Sequence, residues 1–437
     1  PHLMDYGSPA FQSMFNAPPE PFARLGADIA LTHNQGVTNW QVSPGGAMLE
    51  EVAGQALCRL FELNVEADAT FMYSGTYANQ QALYLALHRH AARVGFDLAE
   101  QGVSGFPDPR RLAVLISQDA HFSIKHAVRM LGLGEQSLVL LPVDANRRID
   151  VAQAQEMVAR LTPTREIVGI VATAGTTSTG AVDPIDQLAD LAAATGAWLH
   201  VDGAYGYAYK LVPEWAHLFA GDARADSITW DPHKQLGVPI PNSLLFVRNR
   251  DDFGRMALFS GYFNRADDPM PNPGLKSPPS TRPLAALPLV AALRGQGLTA
   301  LVQGLRAPLS AMRELAAFLA DQPDVALYHK PDTGILCFRM VPGAHSPLGS
   351  PAPLDEIQFD AAQLDALQQA LFDGVLQSGV RAVSVTKLAG RTVLRLVSVS
   401  PHVTGRDLQE TIAVLRQLMH EYLADPHVIN PHLMDTQ

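Results

Sequence analysis

Two polar residues stand at the ends of short apolar runs and could do covalent chemistry together. Asp202 ends the run WLHVD (Trp198–Asp202), and Lys234 ends the turn DPHK, which follows the segment ADSITW. A lysine amine can hold an aldehyde as an imine, and a carboxylate can keep a ring nitrogen protonated so that the ring accepts electrons. Pyridoxal 5'-phosphate requires both groups, so the pair predicts a site for this cofactor.

The segments around the pair predict a parallel sheet that would bring the two residues together. Ile167–Ala174 and Trp198–Asp202 are continuous apolar runs of the length of buried strands, and Pro184–Thr195 between them has the pattern of an amphipathic helix. In open α/β sheets, ligands bind beyond the carboxyl ends of the strands. The two strand ends and the turn Asp231–Lys234 are therefore expected to face one crevice.

Seven motifs follow one another between about Asn34 and Leu418: NWQVSPGGAMLE, YSGTYANQQAL, SQDAHFSIKHAVRMLGLG, VATAGTTSTGAVDPI, HVDGAYG, ADSITWDPHK and LRLVSVSPHVT. In this order they resemble the group II pyridoxal-phosphate-dependent amino acid decarboxylases, which have fold type I of the aspartate aminotransferase superfamily. The resemblance implies an α/β fold, with a large domain around a mostly parallel seven-stranded sheet and a smaller C-terminal α+β domain. DAHFSIKHA and DPHK are most similar to bacterial members that act on diamino or aromatic amino acids.

The resemblance implies a phosphate site at the start of a helix. Ser74, Gly75 and Thr76 precede the predicted helix Tyr77–Arg93, and a helix N-terminus favours an anion. A helix-capping role for Ser74 is compatible with this site. The family usually has Gly-Gly-Ser-Glu at this position, so the phosphate contacts are expected to differ in detail.

Other family positions imply the contacts of the cofactor ring. His121 matches the histidine that stacks on the ring, and Ala204 matches the small residue under its other face. His233 resembles a histidine that contacts the phosphate. Asp231 is often Asn in the family, and we expect its carboxylate to point at a backbone donor or at His233, because it would repel a phosphate. The strand-end threonines Thr173 and Thr176 are also expected near the cofactor, although threonines at the ends of strands commonly only stabilise turns.

Candidate substrate contacts follow from the same resemblance. Trp40 and Gln41 precede SPGG in a segment that lines the pocket of relatives, and Tyr205 is a candidate for the pocket wall. Arg395 stands where aminotransferases have an arginine that binds the α-carboxylate. A decarboxylase must release that group, so we interpret Arg395 as structural or as a pocket wall. Tyr262 is the one tyrosine in the stretch FSGYFNRADDPMPNPGLKSPPSTR and is a candidate proton donor.

The leading functional prediction is decarboxylation of an L-amino acid to an amine and CO₂ through Lys234. The proline-rich end of the stretch around Tyr262 favours stiff backbone over a mobile lid, which keeps oxidative decarboxylation–deamination to an aldehyde as an alternative. A carbon–carbon lyase would need a cationic pocket, which Arg265, Lys276 and Arg282 do not convincingly form. An aminotransferase and a non-catalytic scaffold are further alternatives.

Composition predicts a cytoplasmic enzyme. The chain has 437 residues, of which 47% are hydrophobic, and a formal net charge of −11, which disfavours nucleic acid and anionic membranes as partners. Its two cysteines, Cys58 and Cys337, are far apart, and no histidine spacing indicates a metal site. We find no apolar run near 20 residues, no signal-peptide pattern and no Asn-x-Ser/Thr site. The resemblance also implies that the protein is a homodimer in which both subunits contribute to the active site.

Three regions are expected along the chain. Residues 1–46 are rich in Pro and Asn and are predicted to form an N-terminal arm, residues 47–297 the large cofactor-binding domain, and residues 298–437 an interdomain helix and the small domain. Met48–Leu63 is predicted as the first amphipathic helix. Leu298–Leu319 and Gly405–Leu423 are predicted as the long helices of the C-terminal region.

Overall fold

The computed structural model describes residues 3–259, 264–265, 269–342 and 359–424. The chain divides into two compact units. The larger unit contains Pro19–Thr177 and Ala181–Val302, and the smaller contains Pro1–Pro18, Ser178–Gly180 and Gln303–Gln437. The proposed domain boundaries at residues 46 and 297 stay a prediction.

A seven-stranded sheet forms the centre of the larger unit. Its strands are β1 (Asp68–Met72), β2 (Leu112–Ser117), β3 (Leu138–Leu141), β4 (Glu166–Thr173), β5 (Trp198–Asp202), β6 (Ser227–Trp230) and β7 (Ser243–Val247). Their spatial order is β1-β7-β6-β5-β4-β2-β3. Strand β7 is antiparallel to β1 and β6, whereas the other neighbouring pairs are parallel. The predicted mostly parallel seven-stranded sheet is confirmed. Burial of strands on both faces of such a sheet explains the continuous apolar runs from which it was predicted.

Helices accompany this sheet: α1 (Pro21–His33), α2 (Pro44–Leu60), α3 (Gly75–Val94), α4 (Leu98–Gln101), α5 (Phe122–Met130), α6 (Val151–Leu161), α7 (Ile185–Thr195), α8 (Pro232–Gln235) and α9 (Ala286–Gly295). The prediction of Met48–Leu63 as the first amphipathic helix is wrong, because α1 precedes it and α2 already begins at Pro44. The Glu20 side chain caps α1 by accepting a hydrogen bond from the Ala23 amide at 2.6 Å. Pro21 occupies the first turn of α1, where its missing N–H has no cost.

The smaller unit is built around a four-stranded antiparallel sheet. Its strands β8 (Val325–Leu327), β9 (Ile335–Met340), β10 (Ser384–Leu388) and β11 (Arg391–Val397) lie in the order β10-β11-β9-β8. The long helices are α10 (Leu298–Ala320), α11 (Ala361–Ser378) and α12 (Gly405–Ala424). Apolar side chains of helices and strands form one core, including Leu315, Phe338, Leu371, Leu394 and Ile412. This architecture confirms the predicted C-terminal α+β domain.

Candidate active site

Three neighbouring parallel strands bring the predicted site segments together at their carboxyl ends. The Ala174 amide, just beyond β4, donates to the Asp202 carbonyl at the end of β5 at 2.9 Å. The Asp231 amide, just beyond β6, donates to the Ala204 carbonyl at 3.2 Å. The residues after β4, β5 and β6 are therefore connected by backbone hydrogen bonds, as expected for a crevice at this edge of a parallel sheet.

Lys234 lies on the one-turn helix α8, which replaces the turn that the sequence predicts. Its Nζ lies 3.1 Å from Asp231 Oδ2, and its side chain remains 25% exposed whereas that of Asp231 is 3% exposed. His233 Nε2 is more distant from the same oxygen, at 3.8 Å. The carboxylate of Asp231 is therefore nearer to the lysine than to His233, which was one of its two expected partners, the other being a backbone donor.

Both site histidines are held in defined orientations. His121 caps α5, and its Nδ1 accepts a hydrogen bond from the Ser123 amide at 3.2 Å, so a neutral ring carries its proton on Nε2. His233 Nδ1 lies 2.6 Å from the Asn242 carbonyl and donates to it. Burial lowers the pKa of both rings below its ordinary value. Neutral rings are therefore favoured at neutral pH.

The start of α3 packs against the segment that bears the lysine. Ser74 caps the helix, with its Oγ accepting from the Tyr77 amide at 3.3 Å, and Thr76 lies in the first turn. A Cβ added to Gly75 would lie 2.8 Å from Asp231 Oδ2 and 3.1 Å from the Ala204 Cβ. Glycine at this position therefore permits a close approach of three segments.

We expect Gly75→Ala to destabilise the protein by about 1–3 kcal/mol, the usual cost of forcing extra atoms into a packed site. Urea denaturation measures this change. Gly45→Ala is the matched control, because an added Cβ there meets no atom within 4 Å. Equal stability of the two variants would contradict the close packing around Gly75.

Asp202 is held from two sides. Its side chain is buried, Oδ2 accepts a hydrogen bond from Asn79 Nδ2 at 2.8 Å, and Oδ1 accepts one from the Ala204 amide at 3.2 Å. The sequence argument missed Asn79, which belongs to α3 and is also buried. Its signal was present, since a polar residue four positions after Gly75 lies on the same helical face as the helix start.

The strand-end threonines differ in their surroundings. The Thr173 amide donates to Asp183 Oδ2 at 2.7 Å, while its buried Oγ1 has no hydrogen-bond partner within the described ranges. Thr176 Oγ1 accepts from the Ala181 amide at 3.1 Å, which is a turn contact. Tyr205 is buried and accepts a hydrogen bond from the Tyr209 hydroxyl at 3.2 Å.

The remaining candidates lie on other elements of the chain. Trp40 and Gln41 lie in the turn before α2, half-buried and exposed respectively. Arg395 belongs to β11 of the smaller unit, where its Nε donates to Ser384 Oγ at 2.8 Å and its guanidinium lies 5.7 Å from the centre of the Phe15 ring. Tyr262 lies outside the described residues.

Lowering the pH is expected to remove stability that a neutral His200 supplies. Burial in β5 lowers the pKa of His200 to about 4, from 6.5 in the unfolded chain. Between these values the unfolded chain binds more protons, so this stability is complete above about pH 6.5 and is lost as the pH falls toward 4. Buried Asp183 opposes the effect, because burial raises its pKa to about 7.

The comparison is therefore made between the wild-type protein and His200→Gln, in both of which Asp183 is present. Relative to His200→Gln, the wild type is expected to lose about 3 kcal/mol of unfolding free energy when the pH is lowered from 7 to 4. Urea denaturation at both pH values measures it. A difference that does not vary with pH would contradict a buried neutral His200.

The sequence matches a known family over most of its length. The model of the pyridoxal-dependent decarboxylase conserved domain matches residues 1–341. An L-2,4-diaminobutyrate decarboxylase of Rhizobium meliloti (strain 1021) is 32% identical over 407 residues, which are 92% of this chain and 76% of that protein. An aromatic-L-amino-acid decarboxylase of Bacillus atrophaeus is 25% identical over 88% of this chain and 75% of its own length.

Solved structures share the fold. Mouse CSAD in its apo form superposes with a TM-score of 0.85 at 24% identity, covering 94% of this chain and 84% of that one. TDC of Oryza sativa, solved with pyridoxal phosphate and tryptamine, gives a TM-score of 0.85 at 24% identity, covering 96% of this chain and 85% of that one. These similarities agree with the two units described above.

Proposed function

As a member of the pyridoxal-dependent decarboxylase family, the chain is a pyridoxal-phosphate-dependent amino acid decarboxylase, and we propose that its reaction takes place around Lys234, Asp202 and His121. The observation that carries this proposal is the meeting of the segments after β4, β5 and β6, which bear Asp202 and Lys234. The preferred substrate is a diamino acid of the L-2,4-diaminobutyrate type. Two diaminobutyrate decarboxylases, 32% and 27% identical to this chain, support that choice.

The residues at the strand ends fit the cofactor. A partly exposed amine, a buried carboxylate and the N-terminus of a 20-residue helix are the three groups that an aldehyde, a ring nitrogen and a phosphate require. The buried Thr173 Oγ1, without a partner in the described part of the chain, is a further hydroxyl available to a ligand. Ser74, Gly75 and Thr76 are assigned to the phosphate.

When bound, pyridoxal phosphate supplies an aldehyde for covalent attachment and a protonated ring that accepts electrons. Lys234 provides the attaching amine, and Asp231, 3.1 Å from its Nζ, can take the proton that the amine must lose. Asp202 would keep the ring nitrogen of the bound cofactor protonated. His121, as a neutral flat side chain, would cover one face of the bound ring and exclude water, and Ala204 would leave room at the other face.

Two of the three cations considered for a carbon–carbon lyase, Lys276 and Arg282, do not favour a phosphate-bearing substrate. Lys276 Nζ lies 2.7 Å from Glu51 Oε2 and 2.6 Å from Asp68 Oδ2. Arg282 Nη2 lies 2.9 Å from Glu50 Oε1, with both side chains buried. These cations are neutralised within the larger unit, which argues against the carbon–carbon lyase alternative.

The oxidative alternative is retained because residues 274–276, in the stretch that contains Tyr262, are anchored to other parts of the larger unit. The Gly274 amide donates to the Thr38 carbonyl at 2.7 Å, and the Lys276 carbonyl accepts from Gln81 Nε2 at 2.6 Å. Backbone held in this way at residues 274–276 differs from the mobile lid that would deliver a proton donor. Without a donor, dioxygen could instead take two electrons from the decarboxylated substrate and leave as hydrogen peroxide, and hydrolysis of the resulting imine would release an aldehyde and ammonia.

Product analysis tests the proposal and separates the alternatives. The purified protein with pyridoxal phosphate is given L-2,4-diaminobutyrate, an aromatic L-amino acid and a 2-oxo acid, and CO₂, amine, aldehyde, peroxide and new amino acid are measured. Equal amounts of CO₂ and diamine from diaminobutyrate support the proposal. Aldehyde with peroxide supports the oxidative alternative, and turnover that depends on the 2-oxo acid would indicate an aminotransferase.

A homodimer is proposed through the exposed face of α1. Phe22, Leu25 and Ile29 share one side of this helix and are 43%, 55% and 43% exposed, which is typical of a surface that a second copy covers. Leu25→Glu is expected to yield monomers in sedimentation equilibrium. Val65→Glu, at an isolated exposed position, is the control and should leave the association unchanged. A dimeric Leu25→Glu variant would contradict this interface.

A cytoplasmic location is also proposed. Cys58 and Cys337 are both buried and form no disulfide in the described part of the chain, which is common in a reducing compartment. Among the described residues, no helix combines the length and the apolar character needed to cross a membrane.

A further inference from the structure

A chain of buried hydrogen bonds runs across the larger unit and ends on Asp202. Trp198 Nε1 lies 2.7 Å from Ser227 Oγ, which lies 2.9 Å from His200 Nδ1. His200 Nε2 lies 3.0 Å from Asn79 Oδ1, and Asn79 Nδ2 lies 2.8 Å from Asp202 Oδ2. All five residues are at most 5% exposed. We call this series the Asp202 network.

The two ends of the Asp202 network fix the direction of every bond in it. The indole N–H of Trp198 can only donate, and an ionised Asp202 can only accept. Ser227 therefore accepts from Trp198 and donates to His200, which carries its proton on Nε2 and donates to Asn79. The opposite amide orientation would place the Asn79 oxygen against the carboxylate, so that two acceptors would face each other.

The remaining contacts of Asn79 and His200 agree with this direction. The second hydrogen of the Asn79 amide is used by Ser123 Oγ at 2.9 Å, so both donors of Asn79 are occupied. Burial lowers the pKa of His200, which keeps the ring neutral and leaves a lone pair on Nδ1 for the Ser227 hydroxyl. The network therefore presents one N–H donor to Asp202 from a side chain that cannot rotate without losing three bonds.

We propose that Asn79 is a positioning residue for the cofactor-binding carboxylate, and that His200 acts behind it to fix the Asn79 amide. This proposal rests on the assignment of Asp202 to the cofactor ring nitrogen. The Asn79 N–H at Oδ2 and the Ala204 N–H at Oδ1 hold the carboxylate in one orientation. An ionised Asp202 in turn keeps the ring nitrogen of the bound cofactor protonated.

The test follows the ring nitrogen itself, and not only the activity. The full-length protein is loaded with pyridoxal phosphate labelled with ¹⁵N in the ring, and the nitrogen chemical shift is recorded against pH. Asn79→Leu is expected to lower the pKa of the ring nitrogen by at least about one unit and to weaken cofactor binding about tenfold, as expected for a lost hydrogen bond to a charged group.

Matched variants separate positioning from packing. Gln81→Leu removes another buried amide of α3, which donates to the Lys276 carbonyl at 2.6 Å, and should leave the ring-nitrogen titration unchanged. His200→Phe cannot donate to Asn79 and should shift the titration in the same direction as Asn79→Leu. His200→Gln retains an N–H near the position of Nε2, so its ring-nitrogen titration should lie between those of His200→Phe and the wild type.

The outcomes are distinct. A ring-nitrogen titration that is the same in Asn79→Leu, His200→Phe and Gln81→Leu would overturn the proposal and leave the network a structural element. If Asn79→Leu does not fold, His200→Phe and His200→Gln decide in the same way. Failure of the wild-type protein to bind the labelled cofactor would overturn the proposed function, and this proposal with it.

Discussion

Lys234→Ala is expected to lower amino acid decarboxylation at least about 10³-fold, within the range that a positioned proton-transfer group contributes. The variant loses the amine that holds the cofactor and that takes part in exchange with the substrate amine. Its cofactor should also become removable by gel filtration, because no covalent bond retains it. Steady-state kinetics and the absorbance of the filtered protein near 400 nm measure the two effects.

Lys210→Ala is the control for this result. Lys210 is also a partly buried lysine, and it pairs with Asp222 at 2.5 Å and with the Phe61 carbonyl at 2.6 Å. Its loss is expected to lower stability without releasing the cofactor. Wild-type activity in Lys234→Ala, or cofactor release from Lys210→Ala alone, would contradict the assignment of Lys234.

Asp202→Asn is expected to lower kcat by about 10²- to 10³-fold. An amide of the same shape cannot balance the positive charge of a protonated ring nitrogen, and removing one member of a buried ion pair costs about 3–5 kcal/mol. Because the ring nitrogen would lose its proton, the pH profile of the bound cofactor's absorbance should also change. Asp202→Glu retains the charge and should keep more activity than Asp202→Asn.

Asp222→Asn provides the matched control for a buried carboxylate. Asp222 accepts from the Tyr207 hydroxyl at 2.7 Å and is 4% exposed, so its replacement disturbs the core of the same unit. We expect a lower melting temperature with an unchanged absorbance profile of the cofactor. If Asp202→Asn and Asp222→Asn lowered kcat by the same factor for the same loss of stability, the result would contradict a specific role of Asp202 in catalysis.

Much of the fold could be predicted because burial marks its elements in the sequence. Strand β5 has the predicted bounds, and α10 and α12 each end one residue beyond the prediction. Helix α1 was missed because Pro21 and the neighbouring prolines were interpreted as part of an N-terminal arm, although proline is well tolerated in the first turn of a helix.

The site could be predicted only where chemistry has a sequence signature. Asp202 ends an apolar run and Lys234 closely follows one, so their positions at the end of a strand and just beyond one were visible. The contact between Lys234 and Asp231, and the hydrogen bonds from Asn79 to His200 and Asp202, join residues whose rotamers depend on packing. His200 and Ser227 did leave a trace, as polar residues inside otherwise apolar strands.

Borohydride reduction of the protein with bound pyridoxal phosphate, followed by peptide mapping, tests the central claim most directly. The protein is reduced before and after addition of L-2,4-diaminobutyrate, and the site of the cofactor mass is determined. We predict an absorbance band near 400 nm that disappears on reduction, with the cofactor mass on Lys234 and protection of Lys234 by substrate. A label on another lysine, or no label, would contradict the account.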